Sequence, residues 1–251
     1  MIVLRSLLFH VAFYLWTGVL GIVGLPLLLG PRRWMMRFGT FWSAGTLALL
    51  GWCVGLRHEL RGRERLPPGP AIIAMKHQSA WETFAVPVMF RDPAMVIKRE
   101  LGFIPFYGWF ALKAGMIAID RAGGAAALKR MLTAADAARD EGRPIVIFPE
   151  GTRTAVGARV SYQPGVIALY RHLGLALVPV AVNSGLFWGR RRFIRRPGRI
   201  IVEILPPIPP GGDRRTVLKL LEERIETATA QLVLEDKAVD RCSGESRASN
   251  R

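Results

Sequence analysis

His77 and Glu82 stand five positions apart in the run His-Gln-Ser-Ala-Trp-Glu (77–82). Imidazole, with an ordinary pKa of about 6.5, accepts a proton at cellular pH. A carboxylate on its second ring nitrogen fixes the tautomer and stabilises the imidazolium that forms. In a continuous helix five positions turn through about 500°, so the two side chains would not share a face. They meet only if His77 lies on a loop and Glu82 in the first turn of the helix that follows. Ser79 is a suitable N-cap for that helix, with Glu82 at capping-box spacing. The same spacing therefore admits a structural role alone, in which Glu82 caps a helix and His77 is a surface residue.

A second run, Phe-Pro-Glu-Gly-Thr-Arg (148–153), follows the apolar stretch Ile145–Phe148. Pro149 stops a strand, Gly151 permits close backbone approach, and Thr152 and Arg153 supply donors. The guanidinium of Arg suits bidentate contact with phosphate. A turn of this kind is ordinary by itself.

Both runs must be positioned by the segments around them. Short apolar runs at Ala71–Met75, Met95–Lys98, Met116–Ile119, Ile145–Phe148, Leu175–Val182 and Arg199–Leu205 predict strands. Trp81–Phe90, Gly123–Asp140, Gly165–His172 and Asp213–Leu234 predict helices, the last opened by Asp213 as cap. This alternation predicts an α/β fold, a mixed sheet flanked by helices. Upstream, residues 6–30 are almost free of charge and long enough to cross a hydrocarbon core of roughly 30 Å. Gly-Pro-Arg-Arg (30–33) breaks that helix, and a second apolar run extends from Arg37 to Leu56. The prediction is a two-helix membrane hairpin over 1–57, an α/β domain over 66–234 and a disordered polar tail over 235–251. A cleaved signal peptide fits poorly: Arg5 is the lone early charge, the apolar stretch is too long, and a second one follows. Arg32, Arg33 and Arg37 lie at the hairpin's tip, where a translocated loop should be poor in Arg. The hairpin is thus expected to be re-entrant or half-immersed, with its charges at the head groups.

The 251 residues carry a formal net charge of +16, and 51% of them are hydrophobic. The mean hydropathy is +0.24, with the excess concentrated before residue 57, and the sequence pI is about 11.2. Such a balance favours anionic partners, either membrane lipids or an acidic carrier protein. Arg190, Arg191, Arg192, Arg195, Arg196 and Arg199 lie in one stretch without an acidic residue. A nucleic-acid partner is not expected, since no recognition helix, zinc spacing or RNP-like aromatic motif is present. Two cysteines and four scattered histidines give neither a disulfide framework nor a metal site.

Taken in order, four blocks resemble the glycerolipid acyltransferase family, in its bacterial 1-acyl-sn-glycerol-3-phosphate (lysophosphatidic acid) acyltransferase branch. They are His77 to Glu82, Lys98 to Gly108 with Gly115 and Ile119-Asp-Arg121, Phe148 to Arg153, and Val178-Pro-Val180. The family usually has Asp where this chain has Glu82. The resemblance implies transfer of an acyl group from acyl-CoA or acyl carrier protein to the sn-2 hydroxyl of lysophosphatidic acid, with no cofactor. It implies His77 and Glu82 as catalytic dyad. Lys98 and Arg153, then Arg121, would bind phosphate, and Glu150, Gly151 and Thr152 would shape the acceptor pocket. It also implies a bacterial inner membrane, with the catalytic domain on the cytoplasmic face. Another acceptor, such as a lyso-ornithine lipid, or an inactive lipid-binding scaffold, is left open by Glu82. Trp81, Phe84, Phe103, Phe106, Tyr107, Trp109 and Phe110 are candidates for an acyl groove or interfacial contact.

Overall fold

A computed structural model describes the backbone of residues 1–120 and 122–248, and side chains within these as far as residue 236. Seven strands form one sheet: β1 (Leu56–Arg61), β2 (Ile72–Met75), β3 (Ala94–Lys98), β4 (Ile117–Ile119), β5 (Ile145–Ile147), β6 (Leu177–Val182) and β7 (Gly198–Ile204). Their order is β1-β7-β6-β2-β5-β3-β4. Every neighbouring pair is parallel except β6 and β7. The central strands β2, β5 and β6 are buried throughout, as continuous apolar runs covered on both faces require.

Six expected strands appear within two residues of their expected ends. β1 was not expected, because Leu-Arg-His-Glu-Leu-Arg reads as a charged flank. It is an edge strand whose Glu59 pairs along the strand with Arg61 at 2.8 Å and across the ladder with Arg199 of β7 at 3.0 Å. Gly55, at φ 78°, turns the chain out of the preceding helix into this strand.

Helices α1 (Ile2–Val23) and α2 (Arg32–Leu49) are joined by a short 3-10 turn, Leu25–Leu29. Helix α1 is long and apolar enough to cross a membrane, and no other described helix is. Trp16 donates its indole N–H to Trp42 O at 3.1 Å, and Trp42 donates to Thr17 Oγ1 at 3.0 Å, tying the two helices together. Both also join the main core: Phe9, Leu47, Leu50 and Val54 pack in the cluster built on Ile73, Val146 and Val180 of the sheet. At the start of α2, Arg32 grips Asp92 at 2.7 Å and Glu141 at 3.2 Å, both from the α/β part.

The remaining helices are α3 (Trp81–Met89), α4 (Tyr107–Lys113), α5 (Gly124–Asp140), α6 (Gly165–Leu173) and α7 (Arg214–Ala248). The helix expected to end at Leu234 runs on as one element to Ala248, capped by Asp213, whose Oδ2 accepts the N–H groups of Arg215 and Thr216 at 3.0 Å. Most of the tail expected to be disordered lies outside the described side chains. Helices α5, α6 and α7 cover one face through Met131, Ile167, Tyr170 and Leu221. Helix α3 lies on the other, with Trp81, Ala85 and Val86 buried.

Candidate active site

The site begins where β2 ends. The main chain leaves the sheet at Met75, and Lys76, His77, Gln78 and Ser79 form the loop into α3. Glu82 sits in the first turn, so the offset that forbids contact in a continuous helix is removed. His77 Nδ1 and Glu82 Oε2 are 3.3 Å apart. A carboxylate can only accept, so Nδ1 carries the hydrogen and the Nε2 lone pair is left for a substrate.

Glu82 is fully buried. Its oxygens accept the N–H of Gln78 at 3.2 Å, the N–H of Ser79 at 3.1 and 3.0 Å, and the hydroxyl of Ser184. The expected capping box does not form: Ala80, not Ser79, is the N-cap and makes no side-chain cap hydrogen bond, while Ser79 Oγ accepts the N–H of Trp81 at 2.9 Å. Anchoring of the loop before α3 and pairing with His77 are thus done by one carboxylate. The extra methylene relative to Asp is taken up inside this anchored turn.

The turn after β5 holds His77 from the other side. Glu150 Oε2 accepts the main-chain N–H of His77 at 2.7 Å, and Thr154 donates its N–H to His77 O at 2.9 Å. The ring of Phe148 stacks on the imidazole, centroids 4.0 Å apart. His77 and the Arg153 turn are therefore one mechanical unit. Gly151 is required there twice over: its φ is 68°, and a Cβ would lie 2.9 Å from the Gln163 side chain. Its own N–H is taken by Phe148 O at 3.0 Å, so it is not free to stabilise an oxyanion.

Glu150 was expected to shape the acceptor pocket. Its carboxylate instead turns inward to Lys76 Nζ, 2.5 Å away, and to Thr154 Oγ1 at 2.6 Å. Gly151, Thr152, Arg153 and Lys98 do line a cleft of about 1290 Å³ that His77 also faces. Lys98 pairs with Glu100 at 2.8 Å in a half-exposed contact that a phosphate could replace. Arg153 has no ion pair among the described residues, and Arg190 donates to its carbonyl at 3.3 Å. Arg121 lies outside the described residues; its neighbour Asp120 lines the cleft and pairs with Arg99 at 3.2 Å.

The cleft extends from Phe13 and Trp42 on the N-terminal helices, past Phe84 and His77, to Leu128 and Met131 of α5. Of the aromatic candidates, Phe84 and Tyr107 line it. Trp81 is buried core, whereas Phe103, Phe106 and Trp109 are exposed beside α1 and α4. In the Arg-rich stretch Arg190, Arg191, Arg192 and Arg196 are exposed, and Arg199 is paired with Glu59. Arg195 is buried, 4.1 Å over the Trp188 ring, and burial lowers its pKa to about 10. Ser184 and Lys76 escaped sequence reasoning. Ser184 is 102 positions from Glu82, and nothing local marks either residue.

A part-exposed histidine held by a buried carboxylate at a strand end, opening on a long apolar cleft edged by Lys and Arg, is an arrangement for acting on an amphipathic, anionic molecule. The chain belongs to the acyltransferase family, whose family model, described as acyltransferase, matches residues 57–183, and the protein is an acyltransferase. It is similar to the 1-acyl-sn-glycerol-3-phosphate acyltransferase of Pseudomonas aeruginosa, 35% identical over 234 residues, 93% of this chain and 90% of that one. The protein of the same name from Limnanthes alba is 31% identical over 73% of this chain and 66% of its own. Among solved structures, the 1-acyl-sn-glycerophosphate acyltransferase PlsC of Thermotoga maritima has the same fold. Its TM-score is 0.75 over 92% of this chain and 98% of that one, at 22% identity.

Proposed function

We propose that this acyltransferase moves a fatty acyl group from an acyl thioester, acyl-CoA or acyl carrier protein, to the sn-2 hydroxyl of lysophosphatidic acid, giving phosphatidic acid. The observation that carries the reading is the placement of His77, paired with Glu82, and of Arg153 on two turns joined through Glu150, with His77 and Arg153 facing one apolar cleft. His77 Nε2 takes the proton of the acceptor hydroxyl as its oxygen attacks the thioester carbonyl. The thiolate leaves when the tetrahedral intermediate collapses and collects the proton from His77. Glu82 holds the ring and offsets its positive charge; general-base assistance of this kind contributes roughly 10²–10⁴ in rate. Arg153 and Lys98 hold the phosphate, with Arg121 as a further candidate, and Gly151 and Thr152 line the pocket. Glu150 acts on the acceptor indirectly, by fixing the turn.

The acceptor's acyl chain stays in the bilayer, and α1 with the exposed Phe103, Phe106 and Trp109 supplies the contact. A half-immersed N-terminal pair, with its tip on the side of the catalytic body, is supported by Arg32, which grips Asp92 and Glu141 of the body that carries His77. Arg190, Arg191 and Arg192 face anionic lipids of a bacterial inner membrane from the cytoplasmic side. The test is phosphatidate formation from lysophosphatidate and an acyl thioester by the purified full chain. Product is expected from wild type and none from His77→Ala; full activity in His77→Ala would remove His77 as base.

A further inference from the structure

We propose that Lys76, Glu226 and Tyr162 form a buried charged set that positions His77 and sets its proton affinity through Glu150. The inference rests on the reading of His77 as the base. Lys76 directly precedes His77 and is buried to 1% exposure. Its ammonium lies 2.5 Å from Glu150 Oε1 and 2.6 Å from Glu226 Oε1 of α7. Tyr162 donates its hydroxyl to the same Glu226 oxygen at 3.0 Å. The other Glu150 oxygen takes the His77 N–H. An unbroken path of hydrogen bonds therefore leads from α7 to the main chain of the base.

Packing alone is a poor reason for this arrangement. Burying three charges costs more than pairing returns unless the remaining lone pairs are filled, and apolar side chains of similar volume would serve the core as well. The charges also do not cancel. One ammonium between two carboxylates leaves a net −1, and Tyr162 adds no charge, because burial and then Glu226 and Glu150 hold its phenol far above its usual pKa. A buried negative charge next to His77 favours the imidazolium that forms as the acceptor is deprotonated. The other titratable and charged groups of the site are Glu82 from α3, Arg153 from the turn, and Lys98, Asp120, Arg171, His172 and Arg214 along the cleft wall. None of them changes in the variants below.

The experiment is the pH dependence of kcat at saturating substrates for the full chain, with His77→Ala assayed alongside. Glu226→Gln removes one negative charge, so the acidic limb moves to lower pH by about half a unit. Tyr162→Phe removes a hydrogen bond but no charge; it lowers kcat at every pH and leaves the limb in place. The double variant Lys76→Met, Glu226→Gln leaves Glu150 as the single charge and returns the limb toward wild type. Should the double variant not fold, the contrast between Glu226→Gln and Tyr162→Phe decides alone. An unmoved limb in Glu226→Gln, or equal shifts in both single variants, overturns the proposal. Activity surviving in His77→Ala would instead remove the base itself, a separate failure.

Discussion

Glu82 Oε2 lies 3.3 Å from His77 Nδ1 while accepting the main-chain N–H of Ser79 at 3.0 Å. The group that anchors the loop before α3 and the group that pairs with the imidazole are thus the same, and each contact fixes the geometry of the other. Glu82→Ala should lower kcat on the order of 10²-fold or more, through loss of ring orientation. It should also reduce stability by about 1 kcal/mol or more, through loss of the buried hydrogen bonds from Gln78, Ser79 and Ser184. Glu82→Asp keeps the charge but is one methylene shorter in a turn built around Glu, so its kcat should fall between wild type and Glu82→Ala. Steady-state kinetics with a parallel unfolding curve measures both effects.

Glu150 binds Lys76 and the His77 N–H with its two oxygens, and Lys76 and Glu150 are both cut off from water. Glu150→Ala leaves Glu226 and Tyr162 around Lys76 but strands the His77 N–H. Breaking a buried pair in this way costs about 3–5 kcal/mol. A midpoint of thermal unfolding within a degree of wild type would show that the contact does not form.

Arg153 has no carboxylate partner among the described residues, which leaves its guanidinium free for an anion. Arg153→Ala should raise the acceptor KM by about 10- to 100-fold, the equivalent of a charged hydrogen bond worth roughly 1.5–3 kcal/mol. The donor KM should hardly move. Arg153→Lys should recover part of the loss, since an ammonium cannot offer the planar fork. An unchanged acceptor KM in Arg153→Ala would direct attention to an acceptor without phosphate.

Arg190, Arg191 and Arg192 are exposed, and the neighbouring Phe193 and Ile194 expose apolar surface beside α1. Replacing the three arginines with Ser should weaken binding to vesicles containing anionic phospholipid by about 1 kcal/mol per residue. The difference should shrink as salt rises, because exposed charges are screened beyond roughly 8 Å at physiological ionic strength. Vesicle flotation at low and high salt distinguishes this from purely apolar anchoring, which would leave the variant and wild type equal.

Central strands and most helices were readable because local pattern and tertiary environment agree there. Ile72–Met75 and Leu177–Val182 are uninterrupted apolar runs and are buried on both faces. β1 was unreadable because an edge strand with one neighbour keeps its charges in water, so no apolar run marks it. The short α4 escaped for a related reason: Trp109 and Leu112 point outward, and the pattern of a core-facing helix is absent.

The sequence by itself determined the chemistry available: a histidine and a glutamate five positions apart, a Gly-bearing turn ending in Arg, and an apolar N-terminal helix before an alternating strand–helix chain. Those are local patterns, fixed by spacing, period and residue type. Only the tertiary structure decided where the charges point. Glu150 faces inward because Lys76, buried one residue before His77, needs a counter-ion there. Glu226 reaches that ammonium from 150 positions away, and Ser184 reaches Glu82 from 102. Such pairings arise when strand order brings distant loops to one end of the sheet, and that order has no signature in any local stretch of chain.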